Sequence, residues 1–246
     1  MAIDGRVAQL EASEPTDSRI QLTYVEAGED APLRRALNFS VAAVALALTA
    51  PIMMGIALTI RLTSRRPALF TQTRIGWDRR RVRDRRRGRR SGVSCRRGSD
   101  LGGQPFTIFK FRTMRDGPIS AAEVWATPDD PRITPLGRVL RQYRLDELPQ
   151  LVNVLRGDMN LVGPRPEQPS IFAALRDQIP GYHARQRVRP GITGWAQINH
   201  RYDQSLDDVQ KKLGFDLDYV KRQSTSRDLM IMLRTLPVML FRRGAH

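Results

Sequence analysis

Cysteine is almost missing from these 246 residues: Cys95 stands alone, which rules out an intramolecular disulfide and suits a reducing compartment. Histidine is scarce as well. His183, His200 and His246 have none of the spacings that hold zinc, so neither a zinc centre nor histidine-based catalysis is expected. Acids are outnumbered, 25 Asp and Glu against 41 Lys and Arg, leaving a net charge of +16. Such an excess calls for an anionic partner: a nucleic acid, an anionic membrane surface or a phosphorylated substrate. The stretch from Arg79 to Arg97 holds 11 arginines and one acid, Asp84, so the rest of the chain is only mildly basic. That stretch has no aromatic residue for base stacking, which weighs against nucleic acid. A solvated loop facing anionic lipid headgroups is the expectation there.

Charge is also absent where it matters most. From Ala36 to Ile60 run 25 residues without a formal charge, and Asn38, Ser40, Thr49 and Thr59 are the polar side chains among them. This is long enough to cross a bilayer and too long for an ordinary buried soluble helix. Arg34 and Arg35 precede it and Arg61, Arg65 and Arg66 follow it, so the positive-inside rule draws both ends to the cytoplasmic side. Pro51 removes a backbone hydrogen bond just past the midpoint. Basic flanks and a central proline favour a helix that enters the bilayer, breaks at Pro51 and returns to the same face. A kinked single span is the alternative.

The fold class expected is α-rich α+β: a membrane-inserted re-entrant helix and a small cytosolic catalytic domain with amphipathic surface helices and a short strand element. Residues 1–32 read as a polar N-terminal tail, 33–66 as the membrane helix with its basic flanks, and 67–243 as the catalytic domain, with an Arg-rich insertion at about 78–103. Ala68–Gln72 is strand-like, and Pro105–Arg112 alternates apolar and basic residues over its second half as an amphipathic strand does. Thr134-Pro135 reads as an N-cap with proline at the first helical position. A second helix is expected from near Asp146, with Leu148, Leu151, Val152 and Leu155 on its apolar face and Gly157 closing it. The segment Leu229–Arg243 reads equally as a membrane-surface helix or a core helix.

Two stretches carry chemistry. The adjacent acids Asp146-Glu147 suit a helix start, where carboxylates favour the macrodipole. They also suit a hard cation such as Mg2+, held between acids and substrate phosphates. Arg156 and Arg165 lie close in sequence, and arginine grips phosphate oxygens bidentately. Carboxylates and arginines together suit phosphoryl transfer, where charge stabilisation and positioning supply most of the rate. The second stretch runs from Arg187 to Gln197. Gly191 and Gly194 let backbone approach a ligand closely, and Arg187 and Arg189 add positive charge; a tight turn with Trp195 in the core is the plainer reading.

Several motifs resemble those of the monotopic phosphoglycosyl transferases, also called bacterial sugar transferases or polyprenyl-phosphate hexose-1-phosphate transferases. They are Lys110-Phe111-Arg112-Thr113-Met114, then DELPQLVNVLRGDMNLVGPRPE from Asp146 to Glu167, RPGITGWAQIN from Arg189 to Asn199, and FDLDYVKRQSTSRDLMIM from Phe215 to Met232. The resemblance implies transfer of a sugar-1-phosphate from a UDP-sugar to polyprenyl (undecaprenyl) phosphate, with release of UMP. It further implies Asp146 as the nucleophile that forms a covalent phospho-sugar intermediate, Glu147 beside it, and Mg2+ on Asp146 and Glu147. Lys110, Arg112, Arg156 and Arg165 would contact phosphates. Pro164, Arg165 and Pro166, with Arg189, Gly191, Thr193 and Gly194, would shape the nucleotide-sugar pocket, and Asp216 matches a further family acid. The resemblance also implies a helix broken at Pro51 and a place in the bacterial inner membrane, with the catalytic domain on the cytoplasmic face. The partners implied are membrane lipid and UDP-sugar, not nucleic acid. The sequence departs from the pattern at Ala50, where serine is frequent, at Asn38, where an acid is common, and in the length of the arginine tract. Losing the acid at position 38 puts an ion pair that anchors the helix in doubt.

Overall fold

The uncharged run from Ala36 to Ile60 forms part of one helix, α1 (Pro32–Thr63), with Pro51 inside it. The computed structural model describes residues 32–64, 66–78, 103–115, 130–200 and 205–240. The polar tail, nearly all of the arginine tract with Cys95, and the last six residues lie outside the described residues.

Among the described residues α1 is the one helix long and apolar enough to cross a membrane. At about 1.5 Å per residue it would measure roughly 48 Å if straight. Its two faces differ. Arg34, Asn38, Ala42 and Ile60 are buried, and Ala45, Leu46, Met53, Ile56 and Ala57 pack against the protein, so one stripe meets the body towards each end of the helix. Leu48, Met54, Leu58 and Leu62 point away and are each at least 60% exposed. That outward face is an apolar surface of the kind that water tolerates poorly.

The rest of the body follows in chain order. Strands β1 (Leu69–Ile75) and β2 (Pro105–Phe111) pair antiparallel, Leu69 opposite Phe111 and Ile75 opposite Pro105, so the two expected strands meet across the arginine tract. Helix α2 (Pro135–Gln142) starts as its sequence predicts, with the Thr134 hydroxyl accepting from Gly137 N and Pro135 at the first position.

The second helix is a correction. It does not run on from Asp146: a 3-10 turn covers Leu145–Glu147, and α3 (Gln150–Arg156) begins only after Pro149. Proline has no N–H for an intrahelical bond and is at home at a helix start, so α3 starts just past Pro149 and the acids are set off before it on a turn of their own. Gly157 ends α3 with φ +86, as expected of a C-cap glycine.

Two three-residue strands, β3 (Asn160–Val162) and β4 (Gly191–Thr193), pair in parallel, which the sequence did not suggest. Between them lie α4 (Pro169–Gln178) and a 3-10 segment, Tyr182–Arg187. Helices α5 (Trp195–Asn199), α6 (Leu206–Lys221) and α7 (Thr225–Leu240) complete the chain. In the segment from Leu229, Ile231 is buried in the core while Leu229 and Leu233 are exposed.

One core cluster joins Ala42 of α1, Val154 of α3, Val162 of β3, Tyr219 of α6 and Ile231 of α7. A second gathers Ile75, Phe172, Tyr182 and Leu213. A third sets Ile60 of α1 against Phe111 and Leu140. The two halves of α1 therefore pack on two different cores of the same body. Burial of this kind is worth about 1.5–3 kcal/mol per large apolar side chain.

Polar groups fix the start of α1. Arg34 Nε lies 2.6 Å from Asp228 Oδ2, and Arg34 Nη2 donates to the Tyr219 hydroxyl at 2.6 Å. Asn38 Oδ1 accepts from Leu161 N at 2.7 Å, and Asn38 Nδ2 donates to Arg34 O at 2.8 Å. The anchor questioned for want of an acid at position 38 is thus present in another form. Arg35 donates to Val154 O and Leu155 O, at 2.8 and 2.9 Å, and caps the C-terminal end of α3, where a cation is favoured.

Candidate active site

The 3-10 turn that carries Asp146 and Glu147 is entered through Arg144, whose φ of 56 makes it the one non-glycine described residue in the left-handed region. Such a backbone costs on the order of 1–3 kcal/mol and persists where the surroundings enforce it. Here it turns two consecutive carboxylates inward: Asp146 is 8% and Glu147 5% exposed.

The two acids are treated differently. Glu147 Oε1 collects cations: Arg165 Nη2 at 2.9 Å, Lys110 Nζ at 3.2 Å and Arg144 Nη1 at 3.9 Å. Burial works to raise its pKa, but Arg165, Lys110 and Arg144 hold this carboxyl well below the usual glutamate range. Asp146 makes no hydrogen bond or close ion pair with any described residue. Burial and the neighbouring Glu147 charge push its pKa up, against the pull of Lys110, Arg144 and Arg165. Burial also lowers Lys110, against the attraction of Glu147. The turn therefore holds one neutralised acid beside one unpaired and more basic acid.

Lys110 reaches the site because of a buried amide. Asn153, fully inaccessible on α3, accepts from Phe109 N at 3.1 Å and donates to Thr107 O at 2.7 Å, which fastens β2 to α3. Its Nδ2 also lies 3.2 Å from Asp158 Oδ2. The sequence signal for this role is a polar residue inside the apolar run Leu151-Val152-Asn153-Val154-Leu155.

Arg165 comes from the segment after β3. The two prolines that flank it restrict its backbone, and all four carbonyls from Pro164 to Glu167 are hydrogen-bonded. Pro164 O accepts from Gly191 N at 3.0 Å, Arg165 O from Arg185 Nη2 at 3.0 Å, Pro166 O from Arg74 Nη1 at 3.1 Å and Glu167 O from Ile75 N at 2.9 Å. A small surface cleft lies along this segment, lined by Arg165, Glu167, Phe172, Gln186 and Pro190 among others.

The remaining candidates fall outside this cluster. Arg112 donates from Nε to Pro67 O at 3.1 Å, and Arg156 lies 4.9 Å over the Phe109 ring. Arg189 stacks over Trp77 at 4.6 Å. Thr193 Oγ1 meets Thr235 Oγ1 at 2.8 Å and ties β4 to α7. Backbone does approach Gly191 and Gly194 closely, but it is the chain's own: a Cβ at Gly191 would stand 2.1 Å from Gly163 N, and one at Gly194 2.2 Å from Gly163 O. Asp216 pairs with Arg185, Nη2 to Oδ2 2.8 Å, in a buried cluster with Glu167 and Lys212. Burial pushes its carboxyl up in spite of Arg185 and Lys212.

Among the described residues no group of three or more His, Cys, Asp and Glu could hold a metal. The donor set at Asp146 and Glu147 fits the smaller demand of Mg2+, which takes one or two carboxylates and completes its shell with water and substrate phosphates.

A buried acid pair ringed by cations lies on a body packed along a long apolar helix, an arrangement that suits membrane association. The family described as bacterial sugar transferase matches residues 29–85 and 91–242, and the break falls inside the arginine tract. The chain belongs to this family. It is 40% identical over 218 residues to the UDP-glucose:undecaprenyl-phosphate glucose-1-phosphate transferase of Caulobacter vibrioides, covering 87% of this chain and 72% of that one. It is 36% identical over 214 residues to the UDP-N-acetylgalactosamine-undecaprenyl-phosphate N-acetylgalactosaminephosphotransferase of Aeromonas hydrophila, covering 87% of this chain and 45% of that one. It is also 37% identical over 216 residues to the uncharacterized sugar transferase EpsL of Bacillus subtilis, with 86% and 89% covered. The chain thus spans under half of the Aeromonas relative's length and most of the Bacillus one's.

Proposed function

We propose that this chain transfers a sugar-1-phosphate from a UDP-sugar to undecaprenyl phosphate, the first membrane step in making a bacterial polysaccharide or glycoconjugate. The observation that carries the reading is the division of labour between the two acids: Glu147 is held by Arg165 and Lys110, while Asp146 is unpaired and more basic. An ionised carboxylate of raised pKa is a better nucleophile than an ordinary one.

In the first half-reaction an Asp146 carboxylate oxygen attacks the β-phosphorus of the UDP-sugar. The bond from that phosphorus to the bridging oxygen breaks, and UMP leaves with the electron pair. In the second, a phosphate oxygen of undecaprenyl phosphate attacks the same phosphorus, the aspartyl–phosphorus bond breaks, and Asp146 is restored. Arg165 and Lys110 offer positive charge beside the reacting phosphoryl oxygens, the interaction that dominates phosphoryl transfer. Mg2+ bound at Asp146 and Glu147 would neutralise charge on the diphosphate.

The burial of both Arg34 and Ile60 against one catalytic body supports a re-entrant course for α1, with both ends on the cytoplasmic side of the inner membrane. That course keeps Asp146 at the interface where a soluble nucleotide sugar meets a lipid phosphate. The relatives' names carry different sugars, glucose and N-acetylgalactosamine, so the sugar is for the assay to name.

The test is nucleotide release by detergent-purified protein given undecaprenyl phosphate, Mg2+ and a panel of UDP-sugars. UMP appearing with one sugar, and disappearing in Asp146→Asn protein that stays folded, is the expected result. UDP in place of UMP, or full activity in Asp146→Asn, removes the covalent mechanism.

A further inference from the structure

Arg185 has no part in the chemistry described above, yet it is among the most deeply buried cations in the body, 3% exposed. A buried cation is costly unless it is paired. Both Nη atoms of Arg185 are paired, while its buried Nε has no hydrogen-bond partner among the described residues. Nη1 donates to Glu167 Oε1 at 3.0 Å and to the Tyr182 hydroxyl at 2.7 Å. Nη2 lies 2.8 Å from Asp216 Oδ2 and donates to Arg165 O at 3.0 Å. The Tyr182 ring lies 5.1 Å below the guanidinium, and Lys212 joins from the far side, Nζ to Glu167 Oε1 3.2 Å.

Three of those four contacts on the guanidinium are side chains that hold Arg185 in place. The fourth is the backbone carbonyl of Arg165, the residue whose own guanidinium lies 2.9 Å from Glu147. Pro164 and Pro166 leave Arg165 little backbone freedom, and the carbonyl bond takes up what remains, so its side chain departs from a fixed point. We propose that Arg185 is a positioning residue for the transfer reaction, acting through the Arg165 backbone to hold the Arg165 guanidinium on Glu147 beside Asp146. Only the planar fork of arginine meets the carbonyl and the acids together; lysine keeps the charge but offers a single point of attachment.

This role rests on the transferase reading, and UMP release by the wild-type protein establishes that reading first. The test is then a double-mutant cycle with Arg185→Lys and Arg165→Ala. Arg185→Lys is expected to melt cooperatively and stay membrane-bound while kcat falls about 10–100-fold, the usual cost of losing a partner behind an active-site group. Its KM for the UDP-sugar should stay near the wild-type value, because a misplaced Arg165 guanidinium weakens the chemical step and not ground-state binding. In the Arg165→Ala background the same substitution should cost little more. Three outcomes overturn the proposal: wild-type kcat in Arg185→Lys or a change confined to KM, an equal further loss in the Arg165→Ala background, or failure of Arg185→Lys to fold, which assigns the residue to stability alone. No UMP from the wild type with any UDP-sugar would instead sink the transferase reading itself.

Discussion

Arg34 and Asp228 stand 194 residues apart in sequence and 2.6 Å apart in space, with hardly any of either side chain accessible. The Tyr219 hydroxyl meets both, accepting from Arg34 Nη2 and lying 2.7 Å from Asp228 Oδ1. This pair fastens the first turn of α1 to α7. Removing one partner, as in Arg34→Met, strands a buried charge and should cost about 3–5 kcal/mol. Thermal unfolding in detergent measures the loss, and an unchanged melting temperature would show the anchor to be dispensable. Arg34→Met with Asp228→Leu together should recover part of it.

The clamp between Asn153 and β2 should be visible in both stability and rate. Asn153→Leu removes the partner of Phe109 N and Thr107 O, two part-buried bonds worth about 0.5–1.5 kcal/mol each. Lys110 follows Phe109 in the same strand, so UMP release should slow as well. A variant that loses stability but keeps full kcat would detach Lys110 from the mechanism.

Gly163 should tolerate no side chain. A Cβ there would stand 2.3 Å from Arg189 O and 2.8 Å from Gly191 N, both of them backbone atoms. Gly163→Ala must push β3 and β4 apart, and overpacking of this kind costs about 1–3 kcal/mol or more. Gly214→Ala, inside α6 where nothing lies within 4 Å of the added carbon, is the control and should melt at or above the wild-type temperature, since alanine is the better helix former.

The acid limb of kcat should lie above the ordinary aspartate value of 3.8, because burial and Glu147 raise Asp146. Below the raised value the nucleophile is protonated and turnover falls. Glu147→Gln removes the like charge, so its residual activity should show a limb displaced to lower pH. A limb at or below the ordinary value in the wild type would contradict the environment described for Asp146.

Glu167 should govern stability in acid. Although burial raises it, Lys212 and Arg185 hold its folded pKa far below the ordinary 4.5, so its contribution is complete above pH 4.5 and drains away as pH falls towards the folded value. Glu167→Gln should melt lower near neutral pH and show a flatter melting curve against pH on the acid side. A profile parallel to the wild type would mean that Glu167 titrates alike in both states.

Local features were legible in the sequence because they depend on neighbours in the chain. The Thr134-Pro135 cap, the Gly157 stop and the long uncharged helix all follow from residues within a few positions of one another. The break between Asp146 and α3 is local too, and Pro149 was there to signal it. Arg185 was hidden in a basic run, where charge usually means a solvated face, and the acids that bury it lie 18 residues before it and 31 after it.

The sequence by itself determined that an apolar helix precedes a body carrying an acid pair and phosphate-suited arginines, since composition and adjacency are properties of the chain. Only the tertiary structure decided that Glu147 is the paired acid and Asp146 the open one. Lys110 and Arg165 reach Glu147 from 37 and 18 residues away, across β2 and the segment after β3. Which cation meets which carboxylate is settled by packing at a few ångströms, where burial strips away water and makes each such contact count.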